Sequence, residues 1–379
     1  MNVGRNQEGV ATYISMSMPD DWHVHYRDGN MLRMVTPLVR KRFWHTLAMP
    51  NLDPPIVTNE RASAYKEAIH TSSPDEHDMY NKPTHVSLYL AETLDPQEVA
   101  NAPEHVKAIK YYPAGLTTNS EKGITDPSAL WTRGTRAHEV LCAAAEKKIV
   151  VCLHAADGKN AHGVELDPYD QEPHFMAESL PRIRDAHPKL KISAEHLSTK
   201  QGADYMLKHG GPLLGCSLTA HHLLLDRRDV FRGGFRPHRS WMPAIQSIEH
   251  TEALRDLAGK GLPFVWLGSD SAPHSQAKKE SDCCASGVMM AHAGIELYAE
   301  AFDNMNALDD RFENFACRNG ARFFNVTDGH KDKKRPSIHL QRLKWKVRKP
   351  FMVWNDTDEL QHYDVVPFRL GEEIEWTLS

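Results

Sequence analysis

Two histidines one residue apart are the first feature of this 379-residue sequence that could do chemistry. His23 and His25 flank Val24 in the run Asp21-Trp22-His23-Val24-His25. In an extended segment residues i and i+2 point to the same side, so both imidazoles can ligate one cation while Val24 faces away. A His-X-His pair is also found where no metal binds, so this pair alone leaves both interpretations open.

Further candidate ligands follow apolar runs later in the chain. His154 and His196 each come after such a run, and Asp270 follows another. Each taken singly could be an ordinary hydrogen-bonded polar residue. Four imidazoles and one carboxylate at the ends of separate runs suit zinc or a similar borderline divalent ion, and together they favour a metal centre.

Lys110 also lies at the end of an apolar run, although an ammonium group repels cations. A ligand role requires a neutral amine that has captured carbon dioxide, because the resulting carbamate is anionic and can bridge two metals. The alternative is a surface or salt-bridged lysine.

The elements that must position these residues are short apolar runs that end abruptly in polar residues. Eight such runs are typical of buried strands; they cover residues 13–18, 44–49, 85–91, 106–111, 149–153, 190–194, 213–218 and 264–268. Helix-compatible segments lie between most of them, at residues 60–70, 137–147, 200–209 and 248–260. This alternation predicts an α/β fold, a (β/α)8 TIM-type barrel, in which functional groups lie at the carboxyl ends of the strands.

The remaining segments predict one structural domain. Residues 1–12 are expected to form a loose N-terminal tail, and residues 13–379 a single barrel domain that includes a C-terminal extension packed on it. Helices are expected at 289–304 and 311–323. The basic segment 330–349 could be an anion patch, but a solvated face or loop is preferred because the patch is local and the net charge is −5.

Composition excludes several classes of protein. The net charge of −5 argues against a nucleic-acid-binding domain, and no apolar run approaches the length of a membrane span. The first residues lack the apolar segment of a secretory signal. The spacing of the six cysteines fits no zinc motif, and we expect a reduced, cytoplasmic environment.

The motifs around the candidate ligands, in order and with fitting gaps, resemble those of the single-function dihydroorotases of pyrimidine biosynthesis. The resemblance extends from about residue 14 to the C-terminus. It rests on Asp20-Asp21-Trp22-His23-Val24-His25-Tyr26-Arg27-Asp28-Gly29, Met49-Pro50-Asn51-Leu52, Lys110-Tyr111-Tyr112-Pro113, Thr117-Thr118-Asn119, Glu195-His196 and Gly268-Ser269-Asp270-Ser271-Ala272-Pro273-His274.

The resemblance implies a role for each matching position. His23, His25 and Asp270 would bind the more buried of two Zn²⁺ or similar ions, His154 and His196 the other, and N6-carboxylated Lys110 would bridge them. The implied substrate contacts are the side chains of Arg27, Asn51 and His274 and the main chain of Leu223 and the Ser286 region. Thr117 and Thr118 would lie on a mobile loop that closes over the substrate.

The implied activity is the reversible conversion of (S)-dihydroorotate to N-carbamoyl-L-aspartate. A hydroxide bridging the metals would attack the cyclic amide carbonyl, and Asp270 would act as general acid and base. The small-molecule substrate, the homodimer and the cytoplasmic location are likewise implied by the resemblance. Two alternatives stay open: a related cyclic amidase such as a hydantoinase or dihydropyrimidinase, and a non-catalytic dihydroorotase-like scaffold subunit.

Two stretches depart from the family pattern. Ala155-Ala156-Asp157 stands where many relatives have Gly-Glu, which can alter the surroundings of the metal at His154. Residues 281–287, which include Cys283-Cys284, also differ, and this puts the placement of Ser286 in question.

Overall fold

The computed structural model describes residues 1–72, 82–326, 335–358 and 360–379. An eight-stranded parallel sheet forms the centre of the fold, and its neighbouring strands follow chain order. The strands are β3 Asp21–Val24, β4 Thr46–Ala48, β5 Thr84–Leu90, β6 Val106–Tyr111, β7 Val150–Leu153, β8 Ile192–Ala194, β9 Leu214–Leu218 and β10 Val265–Leu267. A parallel bridge between Val24 and Ser271 joins the first strand to the segment after the last, so the sheet closes into the predicted TIM-type barrel.

Alternation along the strands divides the buried residues between two cores. Ala108 of β6 lies in an inner cluster with Trp22 and Trp266, whereas Ile109 and Tyr111 belong to the outer core between the barrel and its helices. Because side chains alternate sides along a strand, Lys110 must face the barrel interior. The same alternation directs His154 inward after Cys152, which belongs to the inner cluster.

Helices follow most of the strands and begin at recognisable caps. The hydroxyls of Thr58, Thr135 and Thr199 accept hydrogen bonds from main-chain N–H groups in the first turns of α2, α4 and α7. The α-helices of the described residues are α1 Gly29–Arg42, α2 Asn59–Thr71, α3 Pro96–Ala100, α4 Arg136–Lys147, α5 Gln171–His174, α6 Leu180–Ala186, α7 Lys200–His209, α8 Ala220–Leu224, α9 Arg227–Phe231, α10 Ile248–Gly259, α11 Gln276–Lys279, α12 Gly294–Asn304, α13 Asp310–Glu313 and α14 Asn319–Phe323. Short π-helical segments, Phe175–Ser179 and Asn314–Arg318, continue α5 and α13.

The prediction that residues 13–18 form the first barrel strand is wrong. Residues 13–17 belong to β2 Ala11–Ser17, which pairs with β1 Asn2–Arg5 and β11 Ser337–Gln341 in a separate antiparallel sheet. The true first barrel strand is Asp-Trp-His-Val, which an apolarity criterion passes over because two of its four residues are polar. The loose tail expected at residues 1–12 is also wrong, since β1 is paired along its length and the N-terminal amino group lies 2.8 Å from Glu313 Oε2.

The C-terminal part packs as short antiparallel strands beside the barrel. Besides β11, these are β12 Trp345–Lys346, β13 Phe351–Trp354, β14 His362–Val365, β15 Glu373–Ile374 and β16 Thr377–Leu378. In the basic segment, Arg342 forms an ion pair with Asp303, and Lys344 Nζ lies 2.8 Å from Glu375 Oε1. Residues 330–334 of that segment lie outside the described residues.

Across the described ranges, no helix combines the length and the apolar character needed to cross a bilayer.

Candidate metal centre and substrate cleft

All six predicted metal ligands lie at one end of the barrel. His23 is in β3 and Lys110 in β6, and the others lie within three residues of the carboxyl ends of β3, β7, β8 and β10. Each is nearly or completely removed from solvent, and Lys110 is 0% exposed. Polar side chains that are costly to bury are therefore concentrated at the end of the barrel where catalytic groups are expected.

His23, His25 and Asp270 form the first group. Asp270 Oδ1 lies 3.0 Å from His25 Nε2 and 3.4 Å from His23 Nε2. The other ring nitrogens are already used: His23 Nδ1 donates to Glu195 Oε2 at 2.6 Å, and His25 Nδ1 donates to Asn51 Oδ1 at 2.8 Å. These contacts leave two nitrogen lone pairs facing a carboxylate oxygen, an arrangement that a shared cation stabilises.

His154, His196 and Lys110 form the second group. His154 Nδ1 lies 3.2 Å from His196 Nε2. A tetrahedral ion with ligands at about 2.0–2.1 Å separates its ligand atoms by roughly 3.3 Å, so this spacing suits a shared metal. The Lys110 amine has no hydrogen-bond partner among the described residues and lies 4.9 Å from the centre of the Tyr112 ring. A buried amine without partners is unusual for a lysine with a purely structural role.

Burial sets the protonation states in the direction that metal binding needs. It lowers the pKa of His25 to about 4 and that of His154 to about 3, so both imidazoles are neutral near pH 7. Burial also lowers the pKa of the Lys110 amine. Burial alone would raise the pKa of Asp270, but the adjacent His23, His25 and His196 outweigh it and hold that pKa well below its usual value.

Glu195 is a positioning residue that sequence reasoning named within a motif but assigned no role. Its carboxylate accepts from His23 Nδ1 at 2.6 Å and from Ser217 Oγ at 2.9 Å, and it also contacts Ser193 Oγ. Burial would raise its pKa, but His23 and Lys110 lower it overall, so it stays charged. The available signal was the two-residue alternation Ser193, Glu195, which points both side chains into the barrel.

A close approach of strands explains the glycine at the end of β10. A Cβ on Gly268 would lie 2.8 Å from Ser217 Cβ and 3.0 Å from His23 Cβ. Any side chain there would displace His23 or the serine that supports Glu195.

Three residues of the site have left-handed backbone conformations. The φ angles are +65° at Arg27, +43° at His196 and +47° at Asp270. Such conformations cost non-glycine residues about 1–3 kcal/mol each and cluster at functional sites. Here they turn each chain segment sharply as it leaves a strand.

A cleft of about 350 Å³ opens beside the two groups. The predicted substrate contacts Arg27, Asn51 and Ser286 line it with the metal-binding residues. His274 lines a larger outer cleft of about 1180 Å³ that shares Arg27 and Asn51 with the inner one. Its Nε2 lies 3.0 Å from Arg27 Nη2 and 2.9 Å from the Ser286 carbonyl oxygen, so it still contacts the inner cleft's lining.

The predicted loop residues also reach the inner cleft. Thr117 and Thr118 line it, and Thr118 Oγ1 accepts a hydrogen bond of 2.8 Å from Ser286 N. Asn51 Nδ2 donates to the Thr118 carbonyl oxygen at 3.4 Å. The loop therefore lies across the mouth of the cleft; its mobility stays a prediction.

Leu223 is the exception among the predicted contacts. Its N–H donates to Thr219 O, and its carbonyl oxygen accepts from Arg255 Nε at 2.7 Å. It does not line the inner cleft formed by the described residues.

The departures from the family pattern have visible local consequences. The Asp157 carboxylate accepts from His174 Nδ1 at 2.7 Å and from Ser179 Oγ at 2.8 Å, while His154 Nε2 has no hydrogen-bond partner among the described residues. In the second stretch, Lys279 Nζ donates to the carbonyl oxygens of Ala285 and Gly287 at 2.8 and 2.9 Å, which fixes the main chain around Ser286.

A closed parallel barrel with buried imidazoles, a lysine and an aspartate at its carboxyl end defines the class of metal-dependent amidohydrolases. No family model matches the chain. A dihydroorotase of Alkalilimnicola ehrlichii is 37% identical over 96% of this chain and 98% of its own length. The chain belongs to the dihydroorotase family.

Solved structures agree with this assignment. Dihydroorotase of Saccharomyces cerevisiae in complex with 5-fluoroorotic acid has a TM-score of 0.84 at 26% identity, covering 97% of this chain and 98% of that one. Dihydroorotase of Campylobacter jejuni has a TM-score of 0.82 at 28% identity, covering 100% and 99% respectively.

Proposed function

We propose that this protein catalyses the reversible hydrolysis of (S)-dihydroorotate to N-carbamoyl-L-aspartate, in the pyrimidine biosynthesis that the family resemblance implies. The observation that carries the proposal is the meeting of four imidazoles, Lys110 and Asp270 beside a cleft lined by Arg27 and Asn51. The imidazoles, Lys110 and Asp270 can hold cations, and Arg27 and Asn51 can hold a carboxylate. Hydrolysis of the proposed substrate requires both kinds of site.

The proposed cofactors are two divalent cations, zinc being the ion that the ligands suit best. His23, His25 and Asp270 would hold one, His154 and His196 the other, and carboxylated Lys110 would bridge them. When bound, such ions supply Lewis acidity and lower the pKa of water enough for hydroxide chemistry near neutral pH.

Lys110 is suited to carboxylation by its surroundings. Its amine is fully buried, lacks a hydrogen-bond partner among the described residues, and has a pKa lowered by burial. A neutral amine can add to carbon dioxide and release a proton, and the carbamate then carries the negative charge that the neighbouring cations require.

Asp270 would move the proton during ring opening. Its carboxylate is charged at neutral pH because the surrounding histidines lower its pKa. It would accept the proton of the attacking water and deliver it to the ring nitrogen as the amide bond breaks. In ring closure the same carboxylate would carry the proton in the opposite direction.

Arg27 would provide specificity for an acidic substrate. Its Nε donates to Pro273 O at 3.1 Å, which fixes the side chain, while its buried Nη1 has no hydrogen-bond partner among the described residues. A guanidinium group binds a carboxylate through two parallel hydrogen bonds. Asn51 and His274 would complete this recognition.

The two alternatives differ in what they require. A hydantoinase or dihydropyrimidinase needs the cations but no clamp for a substrate carboxylate. A non-catalytic scaffold needs neither, whereas all six predicted ligand residues of this chain are present and buried at one barrel end.

The main test combines metal analysis with turnover of dihydroorotate by the wild type and by Asp270→Asn. We expect kcat of the variant to fall by roughly a thousandfold or more, because it loses a general acid and base, with most of the metal retained. Unchanged turnover in the variant would refute the role of Asp270, and absence of turnover in the metal-loaded wild type would refute the proposed activity.

A second test uses Arg27→Lys with dihydroorotate and with uncharged dihydrouracil. Loss of the two-point contact should lower kcat/KM for dihydroorotate by about 10–100-fold, as expected for a charged hydrogen bond. Any turnover of dihydrouracil should stay the same. If wild-type protein prefers dihydrouracil, the cyclic-amidase alternative is correct.

We also propose, from the family resemblance, a homodimer in the cytoplasm. Analytical ultracentrifugation at micromolar concentration tests the dimer, which a purely monomeric profile contradicts.

A further inference from the structure

A second cluster of metal-ligating side chains lies outside the barrel, between α4 and α6. His138 and Cys142 are one helical turn apart on α4, and His187 caps the C-terminal end of α6. Cys142 Sγ lies 3.7 Å from His138 Nδ1 and 3.8 Å from His187 Nδ1. The three ligand atoms all lie within 4.8 Å of one another.

These distances are close to those that a shared metal ion would impose. With Zn–S of about 2.3 Å and Zn–N of about 2.0–2.1 Å, tetrahedral geometry places sulfur and nitrogen roughly 3.5 Å apart. A thiol has a single hydrogen, so it can donate to only one of the two imidazoles that approach it.

The tautomer of His187 is fixed in the way a ligand requires. Its Nε2 donates to the Leu130 carbonyl oxygen at 2.8 Å, so in the neutral ring Nδ1 holds a lone pair directed at Cys142. A backbone carbonyl on the second ring nitrogen is the usual outer contact of a metal-binding histidine. His187 is buried, whereas His138 and Cys142 are partly exposed, which leaves a path for an ion from solvent.

We propose that His138, Cys142 and His187 bind one zinc or similar thiophilic divalent cation, separate from the centre at the barrel mouth. The thiol would release its proton to solvent on binding, and a fourth coordination position would remain for water. One thiolate and two imidazoles favour such an ion over magnesium or calcium. The ion would tie α4, which precedes β7, to α6, which precedes β8.

The test is a cobalt(II) titration of the protein with its resident metals, under a non-coordinating reductant. The predicted ligands at the barrel mouth include no cysteine, so a sulfur-to-cobalt charge-transfer band reports the proposed site. We expect the band in the wild type, saturating at one equivalent. The Cys283→Ser variant, in which an exposed cysteine is removed, should keep it, and Cys142→Ser should lack it.

A His187→Gln variant provides a second measurement that does not depend on Cys142→Ser folding correctly. It should weaken cobalt binding by roughly tenfold or more, because one of three protein ligands is lost. Zinc should also raise the Tm of the wild type more than that of Cys142→Ser. A wild-type protein without the band, or a band that persists in Cys142→Ser, would overturn the proposal.

Discussion

Two pairs of histidines occupy opposite ends of the barrel, and their nitrogens are the same distance apart. His154 Nδ1 and His196 Nε2 are separated by 3.2 Å at the mouth, and His45 Nδ1 and His85 Nε2 by 3.2 Å at the amino ends of β4 and β5. The rings of the first pair are tilted by 61°, whereas those of the second are nearly parallel at 22°.

The surroundings of the two pairs differ even more than the ring angles. His85 is stacked on Trp22, which in turn stacks on Phe324 with ring centres 4.7 Å apart. The pair at the mouth instead faces Lys110 and Asp270. Burial has the largest effect on the pKa of His154 and lowers it; Lys110 lowers it further, and Asp270 raises it. Proximity of two imidazoles therefore does not by itself define a metal site; the pair at the mouth is set apart by the tilt of its rings and by the Lys110 amine and Asp270 carboxylate that face it.

The largest effect expected from this comparison comes from a pair of alanine variants, one at each end of the barrel. His154→Ala should lower kcat/KM by roughly a hundredfold or more, since losing even an outer contact of a metal ligand costs about 10–100-fold. His85→Ala should leave kcat/KM within a few-fold and lower the free energy of unfolding by about 1–3 kcal/mol, as for loss of a stacked buried ring. Steady-state assays and urea unfolding measure both, and equal losses of activity would contradict the distinction.

A smaller effect is expected at Glu195, which supports the mouth without touching substrate. Glu195→Gln should weaken metal binding by about 10–100-fold, because the charge that orients His23 is lost. Glu313→Gln is a matched control, since that buried carboxylate serves the N-terminal amino group far from the cleft. Metal retention after dialysis against a chelator measures the difference, and identical retention in both variants would argue against the role of Glu195.

The smallest effect concerns how His85, in the stacked pair at the amino end of the barrel, makes the stability of the protein depend on pH. Burial holds the pKa of His85 well below its usual 6.5, so the unfolded chain binds a proton at mildly acidic pH that the folded chain does not. Stability thus falls as pH falls below about 6.5, and His85→Gln should reduce that slope by up to about 1.4 kcal/mol per pH unit. Urea unfolding at pH 7 and pH 5 tests this; an unchanged slope would show that His85 carries none of the sensitivity.

Sequence reasoning predicted the barrel because most of its strands lie in short, mainly apolar runs that alternate with helix-compatible segments. The predicted helix at 200–209 matches α7 residue for residue, and the run at 106–111 matches β6. It failed at the first strand because Asp21 and His23 make that strand polar, and the apolar run just before it was assigned in its place. At that strand, the polar residues of the proposed site interrupt the apolar pattern that is typical of a buried strand.

The meeting of the six predicted ligands could be inferred because each lies at or near the end of a strand, but the residues that support them could not. Glu195 and Ser217 are 22 positions apart in sequence and meet only across β8 and β9. The orientation of Leu223 likewise depends on Arg255, which belongs to α10. Such contacts depend on how strands and helices are aligned in space, which a single sequence does not encode locally.

The seam between β3 and the segment after β10 has a consequence for how the protein is made. Asp270 N donates to His23 O at 2.8 Å, and His25 N donates to Ser271 O at 3.0 Å, so main-chain hydrogen bonds join the segments that carry the first group of predicted ligands. A growing polypeptide on the ribosome therefore has only His23 and His25 of the first group until Asp270 has emerged. The proposed ion would therefore find the complete first group only in chains whose synthesis has passed the final strand.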